Sequence, residues 1–271
     1  MSSVFGKLFT VSTWGESHGK AVGAVVDGCP AGLPLCEADI QKYLDRRRPG
    51  QNLLVTPRDE ADKVEILSGV FEGKTTGTPI SLLVKNEDQH SKDYGDLVRW
   101  YRPGHADFAY DKKYGFRDYR GGGRSSARET IGRVAGGAIA RMILEKICGT
   151  EILAWVTSVG TEESSVDPST VTREAIEASP VRCPDPKAAE RMQNLILEAR
   201  RGKDSVGGTV TFLVRRPPES LGEPVFDRTE ALLAMAMLSI PATKGFEIGS
   251  GFAGARMHGS AHNDTIVAEN G

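Results

Sequence analysis

Residues 102–144 read RPGHADFAYDKKYGFRDYRGGGRSSARETIGRVAGGAIARMIL, a stretch in which a histidine turn, a glycine run, an arginine–serine cluster and a helix signal follow one another. Gly121, Gly122 and Gly123 carry no Cβ, so the backbone there turns sharply and approaches a neighbour or ligand closely. Ser126 and Glu129 have the spacing of a capping box. Ile131, Val134, Ala135, Ala138, Ile139, Met142 and Ile143 then recur at helical spacing, which predicts a helix from near Ala127 to Lys146. Its free N–H groups and positive dipole end point back at the glycine turn, with Arg124, Ser125 and Arg128 beside them; that is the make-up of an anion site, with phosphate as the natural guest. Taken alone, the GGGRSS run reads equally well as an exposed loop capping an ordinary helix.

His105 tips that balance. The turn pair Pro103 and Gly104 separates it from Arg102, so one tight loop presents a cation and a titratable imidazole, a pairing suited to proton transfer beside an anion. Near the other end of the chain, His18 lies between Gly15 and Gly19, with Glu16 two residues before it. No second His or Cys stands at ligand spacing, so acid–base work is favoured over a metal site.

The bulk numbers leave these clusters as local chemistry. The chain has 271 residues and a net charge of -2, which argues against wholesale attraction to nucleic acid or an anionic membrane. A Gly/Arg module for RNA is disfavoured by the same acidity and by the lack of aromatic–basic repeats. Cys29, Cys36, Cys148 and Cys183 show no paired spacing, which fits a reducing cytoplasm. The first residues carry no export pattern, and no apolar stretch approaches the ~20 residues of a membrane span.

The rest of the chain alternates strands and helices, which gives an α/β class. Strands are expected at Lys7–Thr13, Ala21–Val26, Lys63–Leu67, Pro79–Lys85, Ile152–Gly160 and Gly207–Arg215. A helix from Glu37 carries Ile40, Tyr43 and Leu44 on one face and ends at Pro49–Gly50. Arg46, Arg47 and Arg48 then occupy its last turn, either answering the dipole or clamping a polyanion. Asp185 and Pro186 open another helix that stops before Gly202. Asp227 and Glu230 are read as capping a third, Thr229–Ile240, apolar almost all round and so expected to be buried between sheets or in an assembly. Short strands are candidates within Phe246–Met257. The polar segment Asn86–Trp100 suits a loop over a site, with His90 at the surface.

GESHG at 15–19, LDRRRPG at 44–50, ILSGVFEGKTTGTPI at 66–80, RPGHADFAY at 102–110 and DYRGGGRSSARET at 118–130 together resemble the chorismate synthase family, in its order and approximate spacing. The resemblance runs from Lys7 to about Asp264. It implies conversion of 5-enolpyruvylshikimate 3-phosphate to chorismate and phosphate by 1,4-elimination, with reduced FMN required and no net redox change; NADPH enters only as a source of reduction. A substrate with one phosphate and two carboxylates calls for several arginines, and histidine, with an ordinary pKa of ~6.5, suits the proton transfers.

By that resemblance His18 serves the departing phosphate and His105 the reduced flavin. Arg124, Ser125, Ser126, Arg47 and the Pro241–Ala242 turn fall at flavin contacts, and Arg48, Arg102 and Arg128 at substrate contacts. Leu53 departs from the pattern, standing where the family has a further arginine tied to NADP; Arg58 is a candidate replacement. The resemblance further implies a layered β-α-β-α sandwich, a homotetramer, and a single domain over 1–271 that is C-terminally incomplete, lacking a later flavin loop and an aspartate-bearing segment. An inert fragment that keeps only the fold or an assembly surface is the alternative.

Overall fold

Strand alternation and two helices with matching apolar faces make the first layer pair. The computed structural model describes residues 3–55, 60–87 and 97–266, and the chain divides into two compact units, Met1–Pro218 and Glu219–Gly271. The first unit opens with Val4–Phe5 (β1), Thr10–Gly15 (β2), Ala21–Asp27 (β3), helix Glu37–Arg47 (α1) and Val64–Ile66 (β4). A small ribbon, Val70–Phe71 (β5) with Lys74–Thr75 (β6), precedes Ile80–Lys85 (β7). β1, β2, β3, β7 and β4 form one antiparallel sheet in that order. The strand expected over Lys7–Thr13 begins only at Thr10, because Gly6 adopts a φ of 99° and residues 6–9 turn the chain between β1 and β2.

Helix Asp107–Tyr114 (α2) follows, then a 3-10 turn at Ala127–Glu129 that runs into Thr130–Cys148 (α3). The predicted start near Ala127 is therefore a tighter turn. Ser126 Oγ accepts from Arg128 N at 3.3 Å, but Glu129 pairs with Arg133 Nε at 2.9 Å rather than closing the capping box. Val22, Val26, Ile80, Leu82 and Val84 alternate onto one face of the sheet and meet Ile40 and Leu44 of α1 and Ile131, Ala135 and Ile139 of α3. Burying each of these large side chains stabilises the unit by roughly 1.5–3 kcal/mol. Gly132 and Gly136, one turn apart, bring α3 onto β2: an added Cβ would lie 2.8 Å from Thr13 Cγ2 and 2.7 Å from Val11 Cγ2 respectively.

Beyond the helices, Glu151–Val159 (β8), Glu162–Glu163 (β9) and Gly208–Arg215 (β10) form an antiparallel sheet in the order β10-β8-β9. Between them in sequence come Arg173–Glu177 (α4) and Pro186–Arg201 (α5). Asp185 caps α5 as expected, accepting from Lys187 N at 2.9 Å and Ala188 N at 3.2 Å. Ala188, Ala189 and Met192 of α5 pack on Val159 of β8. Sheet, helix pair, sheet and helix thus reproduce the expected β-α-β-α layering, with α3 touching β2 and β3 on one side and β8 on the other.

In the second unit, helix Thr229–Leu238 (α6) is followed by a 3-10 turn at Gly251–Arg256 and the short helix Gly259–His262 (α7). Two sequence expectations fail here. Among the described residues Phe246–Met257 holds no strand, and Asp227 does not cap α6, since the N-cap position falls on Arg228 without a side-chain cap bond. Glu230 pairs with Arg228 at 3.3 Å instead. α6 buries none of its residues, and Met235 and Leu238 are exposed. His90 and most of the expected loop Asn86–Trp100 lie outside the described residues, as does Arg58.

The α3 glycines make a stability prediction. Gly137 has open space around a would-be Cβ, so Gly137→Ala should stabilise the chain by about 0.5–1 kcal/mol, whereas Gly136→Ala should destabilise it by at least about 1 kcal/mol. Urea midpoints of the two variants should move in opposite directions.

Candidate active site

Three loops meet at the glycine turn. Gly121, Gly122 and Gly123 all lie in the left-handed region, with φ of 61°, 88° and 54°. A Cβ on Gly121 would sit 2.1 Å from His18 Nδ1 and 2.8 Å from Ser17 Oγ, and one on Gly122 would sit 3.1 Å from Arg102 Nη2. Only glycine satisfies both the backbone angle and these approaches. The turn therefore joins the β2–β3 loop, which carries His18, to the turn that carries Arg102 and His105.

His18 is buried, and its Nδ1 lies 3.1 Å from Ser17 Oγ. Glu16 and Asp118 stand beside the same turn, within 3.8 Å and 3.5 Å of a Cβ on Gly123. Burial opposes ionisation of Asp118, but hydrogen bonds from the Arg120 side chain and backbone, with the charges of Arg120 and His18, hold its carboxyl below the ordinary value. His105 is exposed, and its N–H closes the turn onto Arg102 O at 3.3 Å.

The arginines named from the sequence divide by what they touch. Arg128 is 4% exposed; it donates to Asp62 Oδ1 at 2.8 Å, Glu60 Oε2 at 3.4 Å, Lys85 O at 3.3 Å and Asn86 Oδ1. The other oxygen of Asp62 takes Arg47 Nη1 at 2.6 Å, and Arg47 Nε reaches Thr130 Oγ1 at 3.3 Å. Two arginines thus share one fully buried carboxylate under the start of α3. Asn86 extends the network to the His18 loop by donating to Glu16 O and Gly19 O at 2.9 and 2.7 Å. Arg46 turns away to Glu177, and Arg48 is the half-buried C-cap of α1. The expected clamp of consecutive arginines is therefore dispersed over different partners.

Arg124 donates to Thr13 O and Oγ1 at 3.2 and 2.7 Å and to Gly15 O at 3.2 Å, which ties the glycine turn to the end of β2. Ser125 Oγ donates to Gly122 O at 2.7 Å. The 3-10 geometry also closes the Ser125 and Ser126 N–H groups onto Gly122 O and Gly123 O, so the expected row of free donors is shortened. Ser126 Oγ accepts from Arg128 N and keeps a hydroxyl proton to donate. Arg102 forms a bidentate pair with Asp107 through Nε and Nη2, both at 2.9 Å. In the second unit Pro241 is half-buried, and Ala242 is exposed with a φ of 67°.

A cleft of ≈ 430 Å³ between α1, α3, β8 and α4 is lined by Arg47 but not by His18, Arg102 or the glycine turn. Its Arg46 and Arg182 share Glu177, and Arg141 pairs with Glu145. The chemistry-bearing cluster is the glycine turn rather than that cleft. Glu60, Asp62 and Asn86 were missed from the sequence, where each sits in an ordinary polar segment without a local pattern, and Asp107 was passed over although it lies inside the RPGHADFAY motif.

Two consequences are measurable. Arg128→Met removes the guanidinium that the buried Glu60 and Asp62 share, leaving Arg47 on Asp62, and should cost about 3–5 kcal/mol in denaturant unfolding. The Arg102 hydrogen bonds outweigh burial and hold Asp107 down from 3.8 to about 2, so its contribution to stability is complete above pH ~4 and lost as pH falls toward ~2. Urea midpoints between pH 5 and pH 2 should therefore fall more steeply for the native chain than for Asp107→Asn.

Comparison with known proteins adds an independent line. The chorismate synthase family model matches residues 9–271. Chorismate synthase of Thermosynechococcus vestitus is 60% identical over 269 residues, covering 99% of this chain and 74% of that protein. The Synechocystis enzyme of that name is 58% identical over 264 residues, covering 97% of this chain and 73% of its own. A crystal structure of chorismate synthase matches with a TM-score of 0.76 at 34% identity, covering 97% of this chain and 74% of that one. Identity of this extent, over a fold with the same layers, leaves one conclusion: the chain belongs to the chorismate synthase family, lyases of aromatic biosynthesis.

Proposed function

We propose that the chain converts 5-enolpyruvylshikimate 3-phosphate to chorismate and inorganic phosphate by 1,4-elimination, with reduced FMN as cofactor. The observation that carries this reading is the approach of His18 and Arg102 to the side-chain-free turn Gly121–Gly123 at the head of α3. An elimination of this kind breaks a C–O bond to phosphate and a C–H bond, and leaves a second C=C bond with no net oxidation. The departing phosphate needs a proton donor and positive charge nearby.

His18 is read as the donor to the leaving phosphate, its ring held at Nδ1 by Ser17. Arg102 and Arg48 are read as contacts for the substrate's anionic groups. Arg128 braces the His18 loop through Asn86, because its donors already point at Asp62, Glu60, Asn86 and the Lys85 carbonyl. His105, exposed on the Arg102 turn, is read as the proton donor toward the flavin ring.

The donor set fits an anionic flavin phosphate or ring edge: a cradle that any Cβ would fill, the Ser126 hydroxyl, and a helix start with positive potential. Arg124, Ser125, Ser126 and Arg47 are the residues of the first unit that would hold FMN. When bound, reduced FMN supplies transient electron density to the departing C–O bond. NADPH enters only as a source of reduction; Leu53 exposes its side chain and offers no charge.

A homotetramer in the cytoplasm belongs to the same reading, and the exposed apolar residues on α6 suit an assembly surface. Among the described residues no helix is long and apolar enough to cross a membrane.

Anaerobic incubation with reduced FMN and substrate should release phosphate and chorismate together. His18→Asn and His105→Asn should each slow release by about 100-fold or more while FMN still binds. A chain that is folded by circular dichroism and releases no phosphate would overturn the proposal.

A further inference from the structure

We infer that Asp107 is a positioning residue: it holds the Arg102 guanidinium over the glycine turn and so pre-forms the anion site. Asp107 is the first residue of α2, where a carboxylate ordinarily answers the free N–H groups of its own helix. Instead it turns back. Its Oδ2 accepts from Arg102 N at 3.0 Å and Arg102 Nε at 2.9 Å, and its Oδ1 accepts from Arg102 Nη2 at 2.9 Å. The N-cap residue Ala106 offers no side-chain cap, so α2 gives up a capping interaction at this end.

Burial sets Asp107 apart from its helix. It is 3% exposed, whereas its neighbours Phe108 and Ala109 face solvent. The nitrogen that it grips, Arg102 Nη2, is the atom that would lie 3.1 Å from a Cβ on Gly122. A chain of contacts therefore runs from Asp107 through Arg102 to the turn. The same carboxylate closes the loop that carries His105, because its bond to Arg102 N spans Pro103 to Ala106. Arg117, 3.8 Å from Oδ1 and held by Asp111 at 3.0 Å, adds positive charge beside the same carboxylate.

A guanidinium has five N–H donors in one plane, more than a single carboxylate fork can occupy, and the fork made by Asp107 fixes the direction in which all of them point. The gain is pre-organisation: a long, rotamer-rich side chain is ordered before the anion arrives. The inference rests on the reading of Arg102 as an anion contact.

The test is a double-mutant cycle on Asp107 and Arg102, read both as turnover and as inorganic phosphate affinity by calorimetry. Asp107→Asn should raise KM for the substrate and Kd for phosphate about tenfold while kcat changes less than about threefold. In an Arg102→Ala background the same substitution should add nothing, because its effect passes through Arg102. Glu162→Gln, which removes a carboxylate paired with Arg191 of α5 and outside this network, should leave both constants at native values. Asp107→Glu keeps the charge and should recover affinity to within about threefold, which supplies a second variant should Asp107→Asn fail to fold.

Native affinity in Asp107→Asn, or a full additional loss in the Arg102→Ala background, would overturn the inference, as would absence of phosphate binding by the native chain. If the native chain binds phosphate but releases none from the substrate, the proposed reaction fails while the calorimetric cycle still decides the role of Asp107.

Discussion

The absence of side chains on one face of one segment governs this structure. Gly132 and Gly136 let α3 settle directly on Thr13 and Val11 of β2, and Gly121 and Gly122, a few residues earlier, let His18 and Arg102 close on the turn that leads into the same helix. Core packing and site geometry are therefore set by one continuous surface. A helix held farther from β2 would carry the turn with it and part the His18 loop from the Arg102 loop. The left-handed φ values at Gly121–Gly123 close off the alternative of a larger residue with a relaxed backbone.

Behind the turn, charge takes over from shape. Asp62 and Glu60 have no exposed side-chain surface, and Arg128 has almost none, so their mutual attraction must offset a desolvation penalty of several kcal/mol per ion. What such a cluster supplies is geometry. Arg128 is tied to Asn86, Asn86 to the Glu16 and Gly19 carbonyls, and Arg47 to Thr130 at the first turn of α3. The His18 loop, the end of β7 and the head of α3 are thus locked to one another through buried polar contacts. Arg124 adds a tie from the glycine turn to β2.

Much of the architecture was legible from local pattern. The apolar face Ile40–Leu44, the Asp185–Pro186 start of α5 and the strands read at Ala21–Val26 and Pro79–Lys85 are each stated within a few neighbouring residues, and each formed to within a residue of its reading. The glycine turn and its two histidines were likewise visible as motifs. Pairing was not legible, because Arg128 finds Asp62 across 66 positions and Arg124 finds Thr13 across 111, with no spacing rule to announce either. For that reason Arg47 and Arg128 looked from the sequence like bare anion ligands, whereas the fold turns both toward Asp62. The misread cap at Asp227 has a different cause: α6 begins at Thr229 as read, which makes Arg228 the N-cap residue and leaves Asp227 one position too early to cap it.

The central claim is that His18, Arg102 and the Gly121–Gly123 turn form one anion site. Titrating inorganic phosphate into the isotopically labelled chain while following imidazole, Arg Nε–H and backbone amide resonances tests it directly. The account predicts that the signals of His18, Arg102, Gly121, Gly122 and Gly123 move together with a single Kd, and that Gly121→Val abolishes the common shift. Movement confined to exposed histidines such as His258, with the turn amides unaffected, would contradict it.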